Sequence, residues 1–450
     1  MTAVSDAPAR ECGDKPDGIR GSTGPVVIGM KKNVRVVGGG FAGLWAALAA
    51  ARYLDELGIG RDDVEISLIN RDAWHAIRVR NYEADLETAR VKLDQVLAPA
   101  GIAEITGTVT AIDVGRRAVG VETGGNTEVL PYDRLVLASG SQLDRPPIKG
   151  LAAHAFAIDT WQEAAALRTH MDGLSRRPPC DGRDAVVIVG AGFTGIELAC
   201  EMPERLRACG ISSGRVILLD RNPSVGSEMT GESRAVVNAA LKDLGVEVRN
   251  GVSVASIDAT SVELADGSRI AAETVIWTAG MRASPLARLV PASTDVQGRL
   301  SVDTTMRVVG VDGVFAAGDV AGAPLLDGHS TVMSCQFARP MGRFAGHNAV
   351  ADVLGHDLLA MNTDRYVTCL DLGPSGALFT QGWDRRLVAS GADAKRTKMT
   401  INRERIYPPR SMTRHDLFAA ATPVVQASPT AGKIGNPGAS APATSSNADR

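Results

Sequence analysis

Apolar residues fall along this chain in short β-branched runs separated by longer alanine- and leucine-rich stretches. Residues 33–38 and 65–69 read as strands, with 44–57 between them as a helix. About 150 residues later the order recurs, with strands at 185–190 and 215–219 and a helix at 196–209. Strand–helix–strand units of this length imply parallel sheets with helices on both faces. Shorter runs at 262–264 and 269–270 flank Asp266-Gly267, a hairpin signal. The two halves read as diverged copies of one α/β plan.

A glycine-rich turn stands between strand and helix in each half. The first reads Val36-Val37-Gly38-Gly39-Gly40-Phe41-Ala42-Gly43, the second Ile188-Val189-Gly190-Ala191-Gly192-Phe193-Thr194-Gly195. In the first, Gly38 permits the tight turn, Gly40 lets the backbone approach a pyrophosphate, and Gly43 lets helix pack closely on strand. Gly190, Gly192 and Gly195 repeat this chemistry. Each helix N-terminus offers free N–H groups and about half a positive charge to a phosphate. Two such turns predict two Rossmann-like domains and two dinucleotides on one polypeptide, hence electron transfer between them.

The strand after each turn refines the reading. The first ends at Asn70, where a carboxylate usually accepts a hydrogen bond from ribose; Asn70 can accept it without charge. The second ends at Asp220, whose carboxylate suits the ribose 2′-OH of NAD and repels a 2′-phosphate, so NADH is favoured over NADPH. Arg221 softens that preference. Glu197 lies in the first turn of the second helix. It either meets the helix dipole there or faces the nicotinamide, where it handles a proton or orients the amide.

Gross composition removes other classes. The 450 residues carry a net charge of −3 and 4 % aromatics, so neither a basic field nor a base-stacking surface points to nucleic acid. The six cysteines (Cys12, Cys180, Cys200, Cys209, Cys335, Cys369) form no CxxC pair and read as reduced thiols. The longest uncharged stretch, 36–51, is too short to span a membrane and contains the first glycine turn.

With both turns, Gly318-Asp319 and Glu197 in view, the chain resembles the pyridine-nucleotide flavoproteins, and within them the type II NADH dehydrogenases. The resemblance rests on three segments. They are Gly190-Ala191-Gly192-Phe193-Thr194-Gly195-Ile196-Glu197-Leu198-Ala199, Val314-Phe315-Ala316-Ala317-Gly318-Asp319-Val320, and Cys335-Gln336-Phe337-Ala338-Arg339-Pro340-Met341-Gly342. It implies a glutathione reductase-type fold, two Rossmann-like nucleotide-binding domains plus a C-terminal α+β domain. It also implies FAD on the first turn, with Phe41 and Ala42 beside it and Asp319 on a ribityl hydroxyl, and NADH on the second. Residues 135–140 would lead out of the FAD domain, and Ala279-Gly280 would mark the return. Gln336 would sit beside the flavin ring and quinone pocket, although Pro340 replaces the family's second glutamine. Hydride would pass from NADH to the flavin, and two electrons onward to a quinone or similar acceptor.

The expected organisation is a flexible leader (1–32), an FAD domain (33–145 and 290–345), an NAD domain (146–289), a C-terminal domain (346–415) and a disordered tail (416–450). The C-terminal domain carries a basic run, including Arg385, Lys395, Arg396, Lys398, Arg405 and Arg414. This run is either a solvated surface or a reversible hold on anionic lipid. The protein is expected in the cytoplasm, with at most weak peripheral contact with the inner membrane face; a homodimer is possible. A ferredoxin-type reductase, a sulfide:quinone reductase using Cys335 and Cys369, and a slow flavin-bearing sensor stay open as alternatives.

Overall fold

The computed structural model describes residues 30–426. Most of the expected leader and tail lies outside the described residues. The chain enters through β1 (Lys32–Val37), α1 (Phe41–Leu57) and β2 (Val64–Asn70). It continues through α2 (Leu93–Ala100), β3 (Ala103–Thr106) and β4 (Arg134–Leu137). A second domain follows, with β5 (Ala155–Phe156), α3 (Trp161–Leu174), β6 (Ala185–Val189) and α4 (Phe193–Ala208). Its remaining elements are β7 (Arg215–Asp220), α5 (Gly231–Asp243), β8 (Glu247–Asn250) and β9 (Thr274–Trp277). The chain then returns, and β10 (Val314–Ala316) completes the first sheet.

Both sheets are parallel, in the orders β10-β4-β1-β2-β3 and β5-β9-β6-β7-β8. The registers match: Val37 lies opposite Ile69 and Leu137, and Val189 opposite Leu219 and Trp277. All five β6 residues are buried, as a strand covered on both faces requires. The predicted hairpin forms as antiparallel strands Ser261–Leu264 and Arg269–Ala271, with Gly267 at φ +85° in the turn. The domains are joined by two crossing segments, Ser141–Leu143 and Met281–Ala283, paired antiparallel.

Helix α6 (Cys335–Leu354) lies so close to α1 that Gly342 and Gly346 have no room for a side chain. A Cβ on Gly342 would stand 2.2 Å from the Ala42 carbonyl oxygen, and one on Gly346 would stand 1.9 Å from that of Ala46. Sheet on one side and α6 on the other explain why Leu44, Trp45, Ala46, Ala47 and Leu48 are all fully buried, with no polar face.

The C-terminal domain is an antiparallel sheet of β11 (Val367–Asp371), β12 (Ala377–Gln381) and β13 (Arg386–Ser390), followed by α7 (Gly391–Thr400). It leans on α4, where a Cβ on Gly373 would meet the Cys200 carbonyl at 2.6 Å.

Two expected boundaries move. The one at 345 falls inside α6, which stays against α1 along its length. The one at 415 falls inside α8 (Arg414–Ala420), a helix capped by Thr413 that buries Leu417 and Phe418 against the first domain. The expected tail therefore begins with ordered structure. Part of the basic run is drawn inward, Lys398 wholly and Lys395 and Arg385 through ion pairs with Asp371 and Glu228, whereas Arg386, Arg396, Arg403, Arg410 and Arg414 stay exposed. Among the described residues, no helix is long and apolar enough to cross a membrane.

Candidate active site

The two glycine turns are built alike. Gly38 (φ +108°) and Gly190 (φ +105°) occupy a backbone region that side chains rarely enter. Each amide donates to the strand behind it, Gly38 to the Ile69 carbonyl and Gly190 to the Leu219 carbonyl, both at 2.8 Å. A Cβ on Gly43 would stand 1.7 Å from the Gly38 oxygen, and one on Gly195 would stand 1.8 Å from the Gly190 oxygen. A Cβ on Gly40 or Gly192, by contrast, would meet nothing within 4 Å. Neither helix has a side-chain cap. Each cradle thus leaves open space over bare helix N–H groups, which is what a pyrophosphate needs.

The strand-end residues hold the turns. Asn70 Oδ1 accepts the Gly39 amide at 2.9 Å, and Asp220 Oδ2 accepts the Ala191 amide at 2.5 Å. Asp220 Oδ1 also takes the Asn222 amide at 2.7 Å. The first turn has a second brace in His75, fully buried, whose Nδ1 lies 2.8 Å from the Gly39 carbonyl. A carbonyl only accepts, so Nδ1 carries the proton. Burial pulls the imidazole's pKa down to about 4, so the ring stays neutral.

One cavity of about 680 Å³ runs from the first cradle to Thr194 at the edge of the second. Gly38, Gly40, Phe41, Ala42, Asn70, Gly318 and Asp319 line it from the first domain; Thr194, Trp277 and Thr278 line it from the second. Asp319 follows β10 and accepts the Ser141 hydroxyl at 2.7 Å, with Arg78 Nη1 at 3.7 Å. Burial raises its pKa, and the Ser141 hydrogen bond and the Arg78 charge work against that. Arg78 is also paired with Asp159. Arg90 lies over the rings of Trp74 (4.1 Å) and Trp161 (3.6 Å), and all three border the cavity. Gly280 (φ +82°) marks the crossing back, its carbonyl accepting the Asp144 amide at 3.1 Å.

Three predicted side chains, Asp220, Glu197 and Gln336, stand apart from this cavity, and Gly190, Gly192 and Gly195 do not line it. Glu197 is buried on the far side of α4's first turn. Its Oε1 accepts Lys398 Nζ at 2.7 Å and the Asp371 amide at 3.0 Å. Burial alone would lower the Lys398 pKa, but the Glu197 carboxylate reverses this and holds the ammonium above the usual lysine range. Gln336 staples α6 to the C-terminal domain, donating to the Arg365 carbonyl (3.0 Å) and accepting the Val367 amide (3.4 Å). Its helix neighbours Cys335 and Ala338 line the cavity instead. Arg78, Ser141 and His75 escaped the sequence reading. They lie in elements of three residues each, Trp74–Ala76, Arg78–Arg80 and Ser141–Leu143, too short for a periodicity to single them out.

The sequence profile of the family described as pyridine nucleotide-disulphide oxidoreductase matches residues 32–342, from the start of β1 into α6. The chain belongs to that family. This pyridine nucleotide-disulphide oxidoreductase is an FAD-dependent enzyme that takes its electrons from NADH. It is 51 % identical to an NADH dehydrogenase-like protein of Mycobacterium tuberculosis over 401 residues, 88 % of this chain and 99 % of the relative. A type II NADH:quinone oxidoreductase of the same organism is 29 % identical, over 68 % of this chain and 69 % of the relative. The structure of NDH2 from Plasmodium falciparum in complex with NADH has a TM-score of 0.71 at 13 % identity. That match covers 87 % of this chain and 97 % of the other. No cysteine stands on α1, and the five cysteines among the described residues are free thiols.

Proposed function

We propose that this oxidoreductase passes electrons from NADH through FAD to a quinone or a similar acceptor. The observation that carries the reading is that one cavity, lined by Gly38–Ala42 of the first cradle, reaches Thr194 of the second turn and Thr278, which donates to the Gly190 carbonyl beside it. Flavin, when bound, supplies the two-electron carrier that nicotinamide can reduce and an acceptor can reoxidise. The protein's part is to hold, align and exclude water.

In this reading Gly38, Gly40, Phe41, Ala42 and Gly43 take the FAD pyrophosphate onto α1. Asp319, oriented by Ser141 and Arg78, accepts a ribityl hydroxyl. Asn70 serves chiefly to fix the turn, because its amide is engaged by Gly39 N and by the Asp72 carbonyl. Gly190, Gly192 and Gly195 take the NADH pyrophosphate onto α4. Asp220 keeps lone pairs for the ribose 2′-OH while bracing Ala191. Glu197 and Gln336 act as positioning residues: one ties α4, the other α6, to the C-terminal domain.

Similarity to quinone oxidoreductases favours a quinone as acceptor, and a panel of acceptors tests it. Purified yellow protein with NADH is expected to turn over fastest with a short-chain quinone, ahead of ferricyanide, oxygen and ferredoxin. Rapid reduction of ferredoxin without quinone turnover would overturn the reading.

A further inference from the structure

A second cavity, of about 490 Å³, opens where α1 and α6 meet the C-terminal segment, and it shares no lining residue with the dinucleotide cavity. Its wall includes Trp45, Arg339, Arg405, Arg410, Glu404 and Tyr407. Three arginines and one glutamate thus line it.

Behind this wall lies an unusual charge. Arg339 and Arg343 stand one turn apart on α6, and both lie over the Trp45 ring, at 4.8 and 4.5 Å. Arg339 is 7 % exposed and Arg343 1 %. Among the described residues no carboxylate pairs with either. Arg343 Nε and Nη2, Arg339 Nε and Trp45 Nε1 are buried with no hydrogen-bond partner among the described residues. Arg339 Nη1 donates to Gln426 Oε1 at 3.1 Å. Burial lowers the pKa of Arg339 to about 10. Burial, and then the charge of Arg339, lowers that of Arg343 to about 9. Two like charges one turn apart, desolvated and with no carboxylate partner among the described residues, are costly. They make sense if the counter-charge arrives with a ligand.

The chemistry of that ligand follows from the walls. A guanidinium fork matches the two oxygens of a carboxylate or phosphate. Tyr407, Pro408, Pro409 and Ala420 present flat apolar surface beside it. We propose that this cavity binds a small oxyanion, a carboxylate or phosphate carried on an apolar, ring-sized body. Arg339 is its direct partner, and Arg343 and Trp45 lend charge and a stacking face from behind. The site is separate from the dinucleotide cavity, and its occupancy does not depend on which acceptor the enzyme uses. Arg339 nevertheless acts electrostatically on Cys335, which lines that cavity, so the two sites are neighbours.

Three probes test the proposal on the flavin-loaded protein: 1-naphthoate, phenyl phosphate and inorganic phosphate. At least one of the two aromatic anions is expected to raise the thermal midpoint saturably and to change tryptophan fluorescence. Whichever binds tells carboxylate from phosphate, and inorganic phosphate is expected to bind more weakly. Arg339→Met should weaken binding by about tenfold or more. Arg343→Met should also weaken binding, yet raise the midpoint of the unliganded protein, because it removes an unpaired buried cation. A purely structural role for Arg343 would lower that midpoint. If Arg339→Met does not fold, Arg339→Lys keeps the charge, loses the fork and should still bind less well. The proposal fails if no probe gives a saturable shift, if inorganic phosphate matches the aromatic anions, or if the Arg339 variant that folds binds undiminished.

Discussion

Gly43→Ala is expected to yield a protein purified with little or no flavin, whereas Gly195→Ala keeps its flavin but no longer takes electrons from NADH. The two substitutions add the same methyl group at equivalent places. In each, the new Cβ would sit 1.7–1.8 Å from a backbone oxygen of its own turn, Gly38 or Gly190. Contacts that short do not occur, so the first turn of α1 or α4 must shift by more than about 1 Å. Such overpacking costs about 1–3 kcal/mol even where a core can yield. Backbone carbonyls tied to a β-strand yield less. A shift of that size also takes the helix N–H groups off the pyrophosphate, so the larger loss is in binding. Gly60→Ala is the control: nothing lies within 4 Å of its Cβ, and binding and stability should stay as they were. The flavin absorbance of each purified variant, and its bleaching by NADH, measure the outcome. If the two phenotypes were exchanged, the cofactor assignment of the cradles would be reversed.

Lys398→Met should destabilise the protein by about 3–5 kcal/mol, because it strands the Glu197 carboxylate in the interior. Both side chains are only 9 % exposed. Lys398 Nζ also donates to the Cys369 carbonyl at 3.0 Å, so the pair fastens α4 to both β11 and α7. The double variant Glu197→Gln/Lys398→Met should recover most of the loss. Glutamine keeps an oxygen for the Asp371 amide, while no charge remains buried. Glu197→Leu in the same background should recover less, since that amide is then left without an acceptor. Denaturant midpoints of the three variants decide this. A Lys398→Met protein as stable as the wild type would mean that the pair is solvated and contributes little.

The parts of the fold that sequence reveals are those set by local rules. β1, α1, β2 and their counterparts β6, α4 and β7 are legible because buried parallel strands are continuous apolar runs. The turns between them exclude a side chain at two positions each, Gly38 and Gly43 or Gly190 and Gly195, and keep open space at the glycine between. Asn70 and Asp220 could be placed at strand ends by counting. Their hydrogen bonds to Gly39 and Ala191 could not, because these depend on how the turn folds back over β2 or β7. Pairings over long separations are the least visible. Lys398 reads as one more cation in a basic run, yet it meets a carboxylate 201 residues earlier. Gln336 matches a motif position, but its amide is taken by backbone groups of β11 and the segment before it. Helix α8 is too short to show a periodicity, and its few apolar residues acquire meaning only against α1 and α2. The same holds for Arg339 and Arg343: in sequence they are helix-surface charges, and only α1 on one side and the C-terminal segment on the other make them buried.

The central claim is that two nucleotide cradles on one polypeptide serve one shared cavity. Anaerobic rapid mixing of the purified flavoprotein with NADH tests it most directly. Bleaching of the flavin absorbance, saturable in NADH and lost in Gly192→Val with the bound FAD unchanged, is the predicted result. A protein whose flavin stays oxidised in the presence of NADH, or a Gly192→Val variant that bleaches as fast as the wild type, would contradict it.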